Sequence, residues 1–392
     1  MEEPRRKRPL LWGGCFLFLV LMVYFAAGEF RLPKPVEVRL LQALSPAQIP
    51  SPRLIYEYRL GAEDVLLLHW DQGEFSPLEG WEATGQALAF NAKGQELWRR
   101  ELPGPVRVKA LSASWMAADL LAGEVFSYRA DGKLAWRQQW TWPLQDFFLS
   151  PTGEVAVTLG PLWEEGLNHL EKLVLVNGEG QAVWEHPCRN ASILTAAFDE
   201  KGEYLALTGL TFSGPDMVNW ALLLDREGEI RGDFTSPREE FFHTTALGEE
   251  SWFLAGEKTL YSLPYSGGRS YRHSFAGDLQ RLLPAKGRDG LLALSWVEGG
   301  KEAGSILSYL NSAGELVWQE SFCTPADQLE LGVSQRGVLV GDNQGIYGLS
   351  YAGEVDWHYS SPQLSRLFVD PWGKYLLVAG EDGVWSLLEL PE

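Results

Sequence analysis

Asn91-Ala92-Lys93-Gly94-Gln95-Glu96-Leu97-Trp98 decides the fold of this chain, because its spacing of Gly and Trp recurs. The same unit stands at residues 177–184, 311–318, 130–136 and 351–357. Residues 225–228 keep the turn but lack the Trp, and residues 265–268 are altered further. Repetition along a chain indicates an architecture built from similar structural units.

The unit has the chemistry of a hairpin turn. An Asn or Asp side chain at its start bonds to the backbone just ahead, and a Gly three residues later takes the left-handed conformation that closes a type I turn. Apolar residues precede the turn, as at 172–176 and 221–224. The Trp four residues after the Gly therefore starts the returning strand, where its ring can cover a neighbouring sheet.

A second turn precedes the first in the unit. Residues 150–153, 199–202 and 370–373 share a Ser or Asp followed three residues later by Gly. Each leads into a predicted strand, at 154–159, 204–208 and 375–379. Two turns and their flanking strands give four strands per unit, which is the composition of one β-propeller blade.

The spacing of the repeated turn agrees with that architecture. Its glycines are residues 94, 132, 180, 228, 268, 314 and 353, at intervals of 38, 48, 48, 40, 46 and 39. The three long intervals hold polar, Gly- and Pro-rich stretches at 161–170, 210–219 and 298–304. Without roughly eight to ten residues in each, all intervals approach the propeller period of about 40. We therefore predict surface insertions in one kind of blade.

Counting the second strand of each unit gives eight blades. These strands are expected near Val65, Trp115, Val155, Leu205, Trp252, Leu292, Val338 and Leu376. The last unit stops one strand short, and residues 36–44 are the candidate for the missing outer strand that closes the ring. We predict an all-β fold, a β-propeller of four-stranded antiparallel sheets over residues 51–392, with eight blades favoured and seven as the alternative.

The unit resembles the blades of PQQ-like, or quinoprotein-alcohol-dehydrogenase-like, β-propellers, and the second turn is similar to those of WD40 blades. The resemblance covers about residues 51–392. It implies an architecture and no single activity, because these folds hold enzymes, assembly factors and adaptors. A quinoprotein enzyme of that family would bring an adjacent Cys pair and a calcium site with a catalytic Asp. This sequence has no such Cys pair, and the turns already account for Asp131, Asp199, Asp225 and Asp370.

The N-terminus has the pattern of a membrane anchor. Residues 5–8 are all basic, and residues 9–28 hold no charge. About 20 apolar residues cross a bilayer as a helix, and basic flanks stay in the cytoplasm. We predict a cytoplasmic segment 1–8, a transmembrane helix 9–28, a linker with the ring-closing strand 29–50, and an extracytoplasmic propeller. Small residues at 26–28 leave open a cleaved signal peptide and a secreted propeller.

Charge limits the choice of partner. The chain after residue 31 carries 28 Lys and Arg against 49 Asp and Glu, a net charge of −21. Phosphate binding needs clustered basic residues, so this balance argues against nucleic acid. It also disfavours lying flat on an anionic bilayer. It fits an acidic body held off the membrane.

The sequence contains no recognisable catalytic centre. The six His residues show no metal-ligand spacing, and no nucleophile elbow or phosphate loop occurs. We therefore predict that the protein is not an enzyme and uses no cofactor or metal. Cys188 and Cys323 fall in the third and sixth units, too far apart for a disulfide, whose Cα atoms lie within about 7 Å. We expect two free, mostly buried thiols.

Topology predicts the binding surface. In a four-stranded blade, the connection between second and third strands opens on the same face as the connection between blades. The insertions fall in those connections, and this face collects aromatic residues of a partner-binding site: Phe75, Trp81, Trp140, Trp142, Trp163 and Phe212. Aromatic and acidic side chains on loops suit recognition of a protein, a peptide or a sugar. The alternative is that these rings cover the ends of blades.

These features together predict a monomeric, membrane-anchored, extracytoplasmic β-propeller. It would act as a non-enzymatic binding or scaffold module for proteins or polysaccharide of the cell envelope. The alternative function is a propeller enzyme, either a quinoprotein-like oxidoreductase or a hydrolase or lyase, acting on a small molecule or glycan. A bound cofactor or metal, or a polar cluster converging on the central channel, would favour that alternative.

Overall fold

The computed structural model describes the chain from residue 34 onward, in segments. They are residues 34–35, 39–44, 54–60, 63–72, 75–76, 80–81, 84–91, 95–102, 107–111, 114–119, 122–129, 131–164, 168–213, 216–235, 244–248, 250–266, 270–298, 304–342, 344–360, 364–369, 373–380 and 385–390. Up to residue 86 only the backbone is described. The predicted cytoplasmic segment and transmembrane helix lie outside the described residues.

The first strands of the chain are short, and the first large sheet follows them. The strands are β1 (Lys34–Pro35), β2 (Arg39–Leu44), β3 (Leu54–Leu60), β4 (Glu63–Gln72), β5 (Phe75–Ser76), β6 (Gly80–Trp81), β7 (Thr84–Asn91) and β8 (Glu96–Leu102). Sheet 1 has the order β3-β4-β7-β8, and β5 and β6 form a separate two-stranded ribbon.

Three more sheets follow, each of four strands in chain order. Sheet 2 consists of β9 (Arg107–Leu111), β10 (Ser114–Asp119), β11 (Glu124–Arg129) and β12 (Leu134–Gln139). Sheet 3 consists of β13 (Leu144–Leu149), β14 (Val155–Glu164), β15 (Asn168–Val176) and β16 (Ala182–Arg189). Sheet 4 consists of β17 (Ala191–Phe198), β18 (Tyr204–Ser213), β19 (Asp216–Asp225) and β20 (Ile230–Thr235).

The same order continues through the next three sheets. Sheet 5 consists of β21 (Thr244–Leu247), β22 (Ser251–Ala255), β23 (Thr259–Pro264) and β24 (Tyr271–Ser274). Sheet 6 consists of β25 (Asp278–Pro284), β26 (Gly290–Val297), β27 (Gly304–Asn311) and β28 (Leu316–Phe322). Sheet 7 consists of β29 (Glu330–Val333), β30 (Val338–Gly341), β31 (Ile346–Leu349) and β32 (Val355–Tyr359), and β1 adds a fifth, parallel strand beside β32.

Sheet 8 joins the two ends of the chain. It contains β33 (Leu364–Val369), β34 (Tyr375–Gly380) and β35 (Trp385–Glu389), and β2 supplies its fourth strand. β2 pairs antiparallel with β35, from Arg39 opposite Glu389 to Leu44 opposite Trp385. This strand lies within residues 36–44, and its pairing connects the N-terminal part of the chain to the last sheet.

The prediction of an all-β fold built from four-stranded antiparallel sheets is confirmed. All eight residues used to count second strands lie in the second strand of a sheet. First strands of successive sheets contact each other, as β9 does with β13 and β13 with β17. This arrangement around the first strands is that of a β-propeller.

The antiparallel order gives the molecule two distinct faces. We call the hairpin face the one that carries connections between second and third strands and connections between sheets. The turn face carries connections between first and second strands and between third and fourth strands. The repeated Asn/Asp turns are third-to-fourth connections, so they all lie on the turn face.

The hydrophobic core is divided among the junctions between sheets. Each described cluster combines residues of two consecutive sheets, as where Ala118 and Val125 of sheet 2 pack with Phe147 and Val157 of sheet 3. The middle strands are therefore buried on both sides, and β22 is buried throughout. Fourth strands such as β12 alternate between exposed and half-buried residues, because only one side of them faces a neighbouring sheet.

The turn chemistry predicted from the sequence is confirmed. The Oδ1 atom of Asn177 accepts from the backbone N of Gln181 at 2.8 Å, and Asp225 does the same with Glu229 at 2.8 Å. Gly180 and Gly228 have φ angles of 83° and 84°, in the left-handed region. The side chains of Asp131 and Asp199 likewise accept bonds from Lys133 N and Tyr204 N. Asp370 lies outside the described residues.

The repeat Trp of one sheet lies on the repeat Gly of the next sheet. A methyl group added to Gly228 would lie 2.9 Å from Cδ2 of Trp184, and the same relation joins Trp98 to Gly132, Trp136 to Gly180, and Trp318 to Gly353. The Nε1 atom of Trp184 donates to Arg226 O at 2.9 Å, and that of Trp318 to Tyr351 O at 3.0 Å. Only Gly leaves room for this contact, which explains why Gly and Trp recur together.

Two of the predicted insertions differ from expectation. The stretches 161–170 and 210–219 were expected as loops, but β14 and β15 pair as far as Glu164 with Asn168, and β18 and β19 pair as far as Ser213 with Asp216. Each insertion therefore lengthens a hairpin. Backbone groups that leave the sheet edge are satisfied by continued pairing across the hairpin.

Candidate binding face

Long hairpins project from the hairpin face in sheets 3 and 4. β13 pairs with β14 only as far as Leu159, so the last four residues of β14, 161–164, extend past the first strand of sheet 3. In sheet 4, β20 pairs with β19 only from Trp220 onward, and residues 216–219 extend beyond it. β16 still flanks β15 at Leu170, and β17 flanks β18 as far as Thr211, so each hairpin extends two residue pairs, about 7 Å, beyond both flanking strands. The turn face carries short turns instead of such long hairpins.

Sheet 1 carries a third extension on the same face. β4 and β7 pair to Gln72 with Thr84, beyond the last pair of β3 with β4 at Leu54 and His69. The connection between them holds the ribbon β5–β6, in which Phe75 and Trp81 are directly opposite one another. The ribbon brings these two predicted site residues together.

The other two predicted site residues in insertions, Trp163 and Phe212, lie on separate hairpins. Trp163 is opposite His169 near the tip of β14–β15, and Phe212 is opposite Met217 near the tip of β18–β19. The side chains of Phe75, Trp81, Trp163 and Phe212 lie outside what the structure describes. Their backbone positions place all four on the hairpin face, as predicted from topology.

Trp140 and Trp142 lie between sheets 2 and 3, where their side chains are half-buried. Both pack against the core cluster that contains Leu144 and Phe147. The Nζ atom of Lys172 lies 4.7 Å from the centre of the Trp142 ring and 2.8 Å from Oε2 of Glu185. The two Trp rings therefore cover a blade end and still present an edge to the hairpin face.

A buried carboxylate joins sheets 3 and 4 beneath this face. Glu171 is 1 % exposed, and its Oε1 accepts from Ser192 Oγ at 2.8 Å and from Gln145 Nε2 at 3.1 Å. Its Oε2 accepts from the backbone N of Ile193 at 2.7 Å. A buried carboxylate is stable only when its oxygens are hydrogen-bonded in this way. The sequence analysis missed Glu171, because its partners are about 20 residues away along the chain.

Cys188 and Cys323 are free, and their surroundings differ. Cys188 is buried; burial and the nearby charge of Glu171 raise the pKa of its thiol to about 12. Cys323 is exposed, so the expectation that both thiols are mostly buried was wrong. Cys323 follows the end of β28 on the hairpin face.

The described part of the chain contains no group of three or more His, Cys, Asp or Glu side chains that could hold a metal ion. It also contains no helix of the length and apolar character that a membrane span requires. His186 and His358 lie in the outer strands β16 and β32, and burial lowers the pKa of His186.

Comparison with known proteins identifies the fold. No protein-family model matches the sequence, and no curated protein matches it. Among solved structures, BamB from Moraxella catarrhalis is similar with a TM-score of 0.55 and 12 % identity, covering 91 % of this chain and 99 % of BamB.

Two WD40 domains are similar over comparable lengths. The C-terminal WD40 domain of Sif2 has a TM-score of 0.57 and 11 % identity, covering 92 % of this chain and 100 % of that domain. The Pan2 WD40 domain of Neurospora crassa has a TM-score of 0.51 and 9 % identity, covering 92 % of this chain and 98 % of that domain. At these identities the likeness concerns the fold, which is a β-propeller of the kind found in WD40 domains.

Proposed function

We propose that this chain is a closed eight-bladed propeller of the PQQ-like type, tethered outside the cytoplasmic membrane by residues 9–28. It binds a protein of the cell envelope through its hairpin face and catalyses no reaction. The fold it shares with BamB and WD40 domains is compatible with a scaffold. The net charge of −21 after residue 31 fits a body that stands off an anionic bilayer.

The observation that carries the proposal is the one-sided extension of hairpins. β14–β15 and β18–β19 project beyond their sheets on the hairpin face, and the ribbon β5–β6 lies on the same side. The turn face consists of tight turns that hold neighbouring sheets together. Binding residues commonly lie on projecting segments that a rigid scaffold positions.

The direction of β1 supports a membrane tether on the turn face, opposite the hairpin face. Fourth strands run from the turn face to the hairpin face, and β1 runs parallel to the fourth strand β32. The chain therefore enters β1 from the turn face. Residues 29–33 separate the proposed anchor from Lys34, and so short a segment spans at most about 20 Å. In this arrangement the turn face lies towards the membrane and the hairpin face points away from it.

A protein is the favoured partner because of the aromatic residues on this face. Trp and Tyr dominate the binding energy of protein interfaces when they lie near the centre of the contact. Trp142 is already held in place by Lys172, so little side-chain entropy would be lost on binding. Polysaccharide is the alternative ligand, and the experiment below distinguishes it.

The test is replacement of Trp81, Trp142 and Trp163 by Ala in the full-length chain. Co-purification of a defined envelope protein from host membranes, with and without chemical crosslinking, measures the interaction. We expect the triple variant to lose most of the captured protein. Equal capture by the triple variant contradicts the proposal, and capture of glycan without protein assigns the face to polysaccharide.

A matched triple variant separates binding from surface hydrophobicity. Leu134, Val183 and Val317 are exposed by 46 %, 52 % and 53 % on the outer strands β12, β16 and β28. Their replacement by Ala removes apolar surface from the rim without changing the hairpin face. Capture by this control variant should equal that of the unaltered protein.

A further inference from the structure

A cleft opens between sheets 6 and 7, away from the aromatic residues of sheets 1–4. Its volume is about 410 Å³, and its walls come from the end of β28 and from β31, β32 and the turn before β31. The lining side chains that matter here are Glu320, Phe322, Cys323, Asp342, Tyr347 and Val355. It reaches the hairpin face at Cys323, which is exposed.

The ionisable groups of the cleft are acidic. Glu320 and Asp342 are the carboxylates among its described lining residues, and His358 stacks on the ring of Tyr347 with the ring centres 4.6 Å apart. Asp342 is 8 % exposed, and its Oδ1 accepts from Gln344 N at 2.8 Å and from Gly345 N at 3.1 Å. Glu320 is exposed to solvent, yet partial loss of hydration raises its pKa. Within the described residues, Glu320 has no ion-pair or hydrogen-bond partner.

The equivalent position in another repeat unit indicates which chemical group fits beside Glu320. Glu320 lies two residues after Trp318, and the equivalent residue of sheet 1, two after Trp98, is Arg100. Arg100 reaches across to sheet 2, where its guanidinium donates to Gly132 O and lies 5.1 Å from the centre of the Tyr128 ring. In sheet 6 a carboxylate has replaced that arginine, and the space beside the next sheet is open.

We propose that the cleft between sheets 6 and 7 binds an arginine side chain presented by an extended segment of a protein partner. The guanidinium pairs with Glu320 beside the ring of Tyr347, which also stacks on His358, while the aliphatic stem packs on Phe322 and Val355. Arginine suits the cleft better than lysine, because its planar group both pairs with a carboxylate and stacks on an aromatic ring.

This proposal stands apart from the proposed anchor and from the aromatic face. It depends only on Glu320, Tyr347 and their neighbours, so either proposal can fail without the other. Complementary charge across an interface mainly sets partner choice and association rate. The residues after Arg31 carry a net charge of −21, and an acidic cleft among them therefore selects a basic segment.

The test uses a fluorescent peptide Ala-Val-Ser-Arg-Ser-Val-Ala, blocked at both ends, and the same peptide with citrulline in place of arginine. Fluorescence anisotropy with the purified full-length chain in detergent measures the dissociation constant at 50 mM salt. We expect the arginine peptide to bind at least about tenfold more tightly than the citrulline peptide, as for one charge-assisted hydrogen-bonded contact. Glu320→Gln should remove that difference.

The control is Glu257→Gln, which removes an exposed carboxylate from sheet 5 and makes the net charge less negative by the same single unit. It should leave binding of the arginine peptide unchanged. Equal binding of both peptides, equal loss in both variants, or no binding of the arginine peptide at millimolar concentration overturns the proposal. Binding of Ca²⁺ that depends on Glu320 would assign the cleft to a metal ion and overturn it too.

A second readout reports occupancy without depending on Glu320. Cys323 opens into the cleft, whereas Cys188 is buried. In the full-length chain with Cys15→Ser, the arginine peptide should slow alkylation of Cys323 several-fold, and the citrulline peptide should leave the rate unchanged. Identical rates with the two peptides contradict the proposal even if an altered variant fails to fold.

Discussion

The junction between sheets 3 and 4 resembles the junction between sheets 6 and 7 on the turn face. The two junctions differ towards the hairpin face. On the turn face, both are closed by the same contact, with Trp184 on Gly228 in one and Trp318 on Gly353 in the other. Towards the hairpin face, the first is sealed by the buried and fully bonded Glu171. The second is open as a cleft of about 410 Å³ beside Glu320, which has no ion-pair or hydrogen-bond partner among the described residues.

This difference separates stability from binding within one repeated unit. The turn-face contact recurs because each sheet must attach to the next one. On the hairpin face, attachment to the next sheet does not require the same contact at every junction. The residues there therefore form a buried hydrogen-bond network at one junction, a projecting hairpin at another and an open cleft at a third. The following predictions address that division, from the largest expected effect to the smallest.

Trp184→Ala should lower the free energy of unfolding by about 3 kcal/mol, because it removes a half-buried ring and its bond to Arg226 O. Urea denaturation of the full-length chain in detergent measures this change. Val183→Ala is the neighbouring control; Val183 is 52 % exposed and its loss should cost less than about 0.5 kcal/mol. Similar midpoints for both variants would show that the Trp contact does not hold the sheets together.

The same substitution at two carboxylates should separate the sealed junction from the open one. Glu171→Gln should cost about 2.5 kcal/mol, because an amide cannot accept all three bonds that the carboxylate accepts. Glu320→Gln should change stability by less than about 0.5 kcal/mol, since Glu320 is exposed. Urea midpoints at pH 7 give both values, and a larger loss for Glu320→Gln would contradict the comparison.

Two glycines of one turn should respond differently to Ala. Gly180→Ala should cost about 2 kcal/mol, because its φ is 83° and the added methyl would lie 2.9 Å from the Trp136 ring. A methyl on Gly178 meets nothing within 4 Å, so Gly178→Ala should be neutral. Thermal unfolding of both variants measures the difference in stability, and equal melting temperatures would contradict the steric explanation.

The smallest effect concerns acid stability at the junction of sheets 3 and 4. Burial alone would raise the pKa of Glu154, but hydrogen bonds from Thr152 and Arg226 outweigh it and hold the pKa below 4.5. A lowered pKa in the folded state means that the stabilisation is present above pH 4.5 and is lost as pH falls through the folded value.

Arg226→Gln should therefore cost about 1 kcal/mol at pH 7, and this difference should shrink as the pH approaches 3. Urea midpoints at pH 7, 5, 4 and 3 for both proteins measure it. Arg231→Gln is a control in the same sheet, because Arg231 pairs with Asp225 and does not contact Glu154. A constant difference between Arg226→Gln and the unaltered protein across this range would contradict the assignment.

The sequence was sufficient for the parts of the fold that each unit specifies by itself. Asn177, Gly180 and Trp184 lie within eight residues, and their local chemistry fixes a turn and the start of a strand. Because the unit recurs along the chain, the same local chemistry predicted the other sheets. The same reasoning placed Trp140 and Trp142 at a connection between sheets, and both pack on the core cluster of sheets 2 and 3, as in the alternative that these rings cover the ends of blades.

The parts that sequence reasoning missed depend on contacts between sheets. Glu171 meets Ile193 and Ser192 only when sheets 3 and 4 are assembled, and the exposure of Cys323 depends on sheet 7 leaving space beside it. A signal for the cleft does exist in the repeat. The residue two positions after the Trp is Arg100, Gln138 and His186 in the first three units, and an acidic residue appears there at Glu320.

The most direct test of the division between the two faces is site-specific photo-crosslinking in host membranes. A photoreactive amino acid would replace Thr141 or Glu257 on the hairpin face, or Lys133 or Glu179 on the turn face, all of which are exposed. We expect a protein adduct of the same mass from Thr141 and Glu257, and none from Lys133 and Glu179. Adducts from the turn-face positions alone, or equally from both faces, would contradict the account.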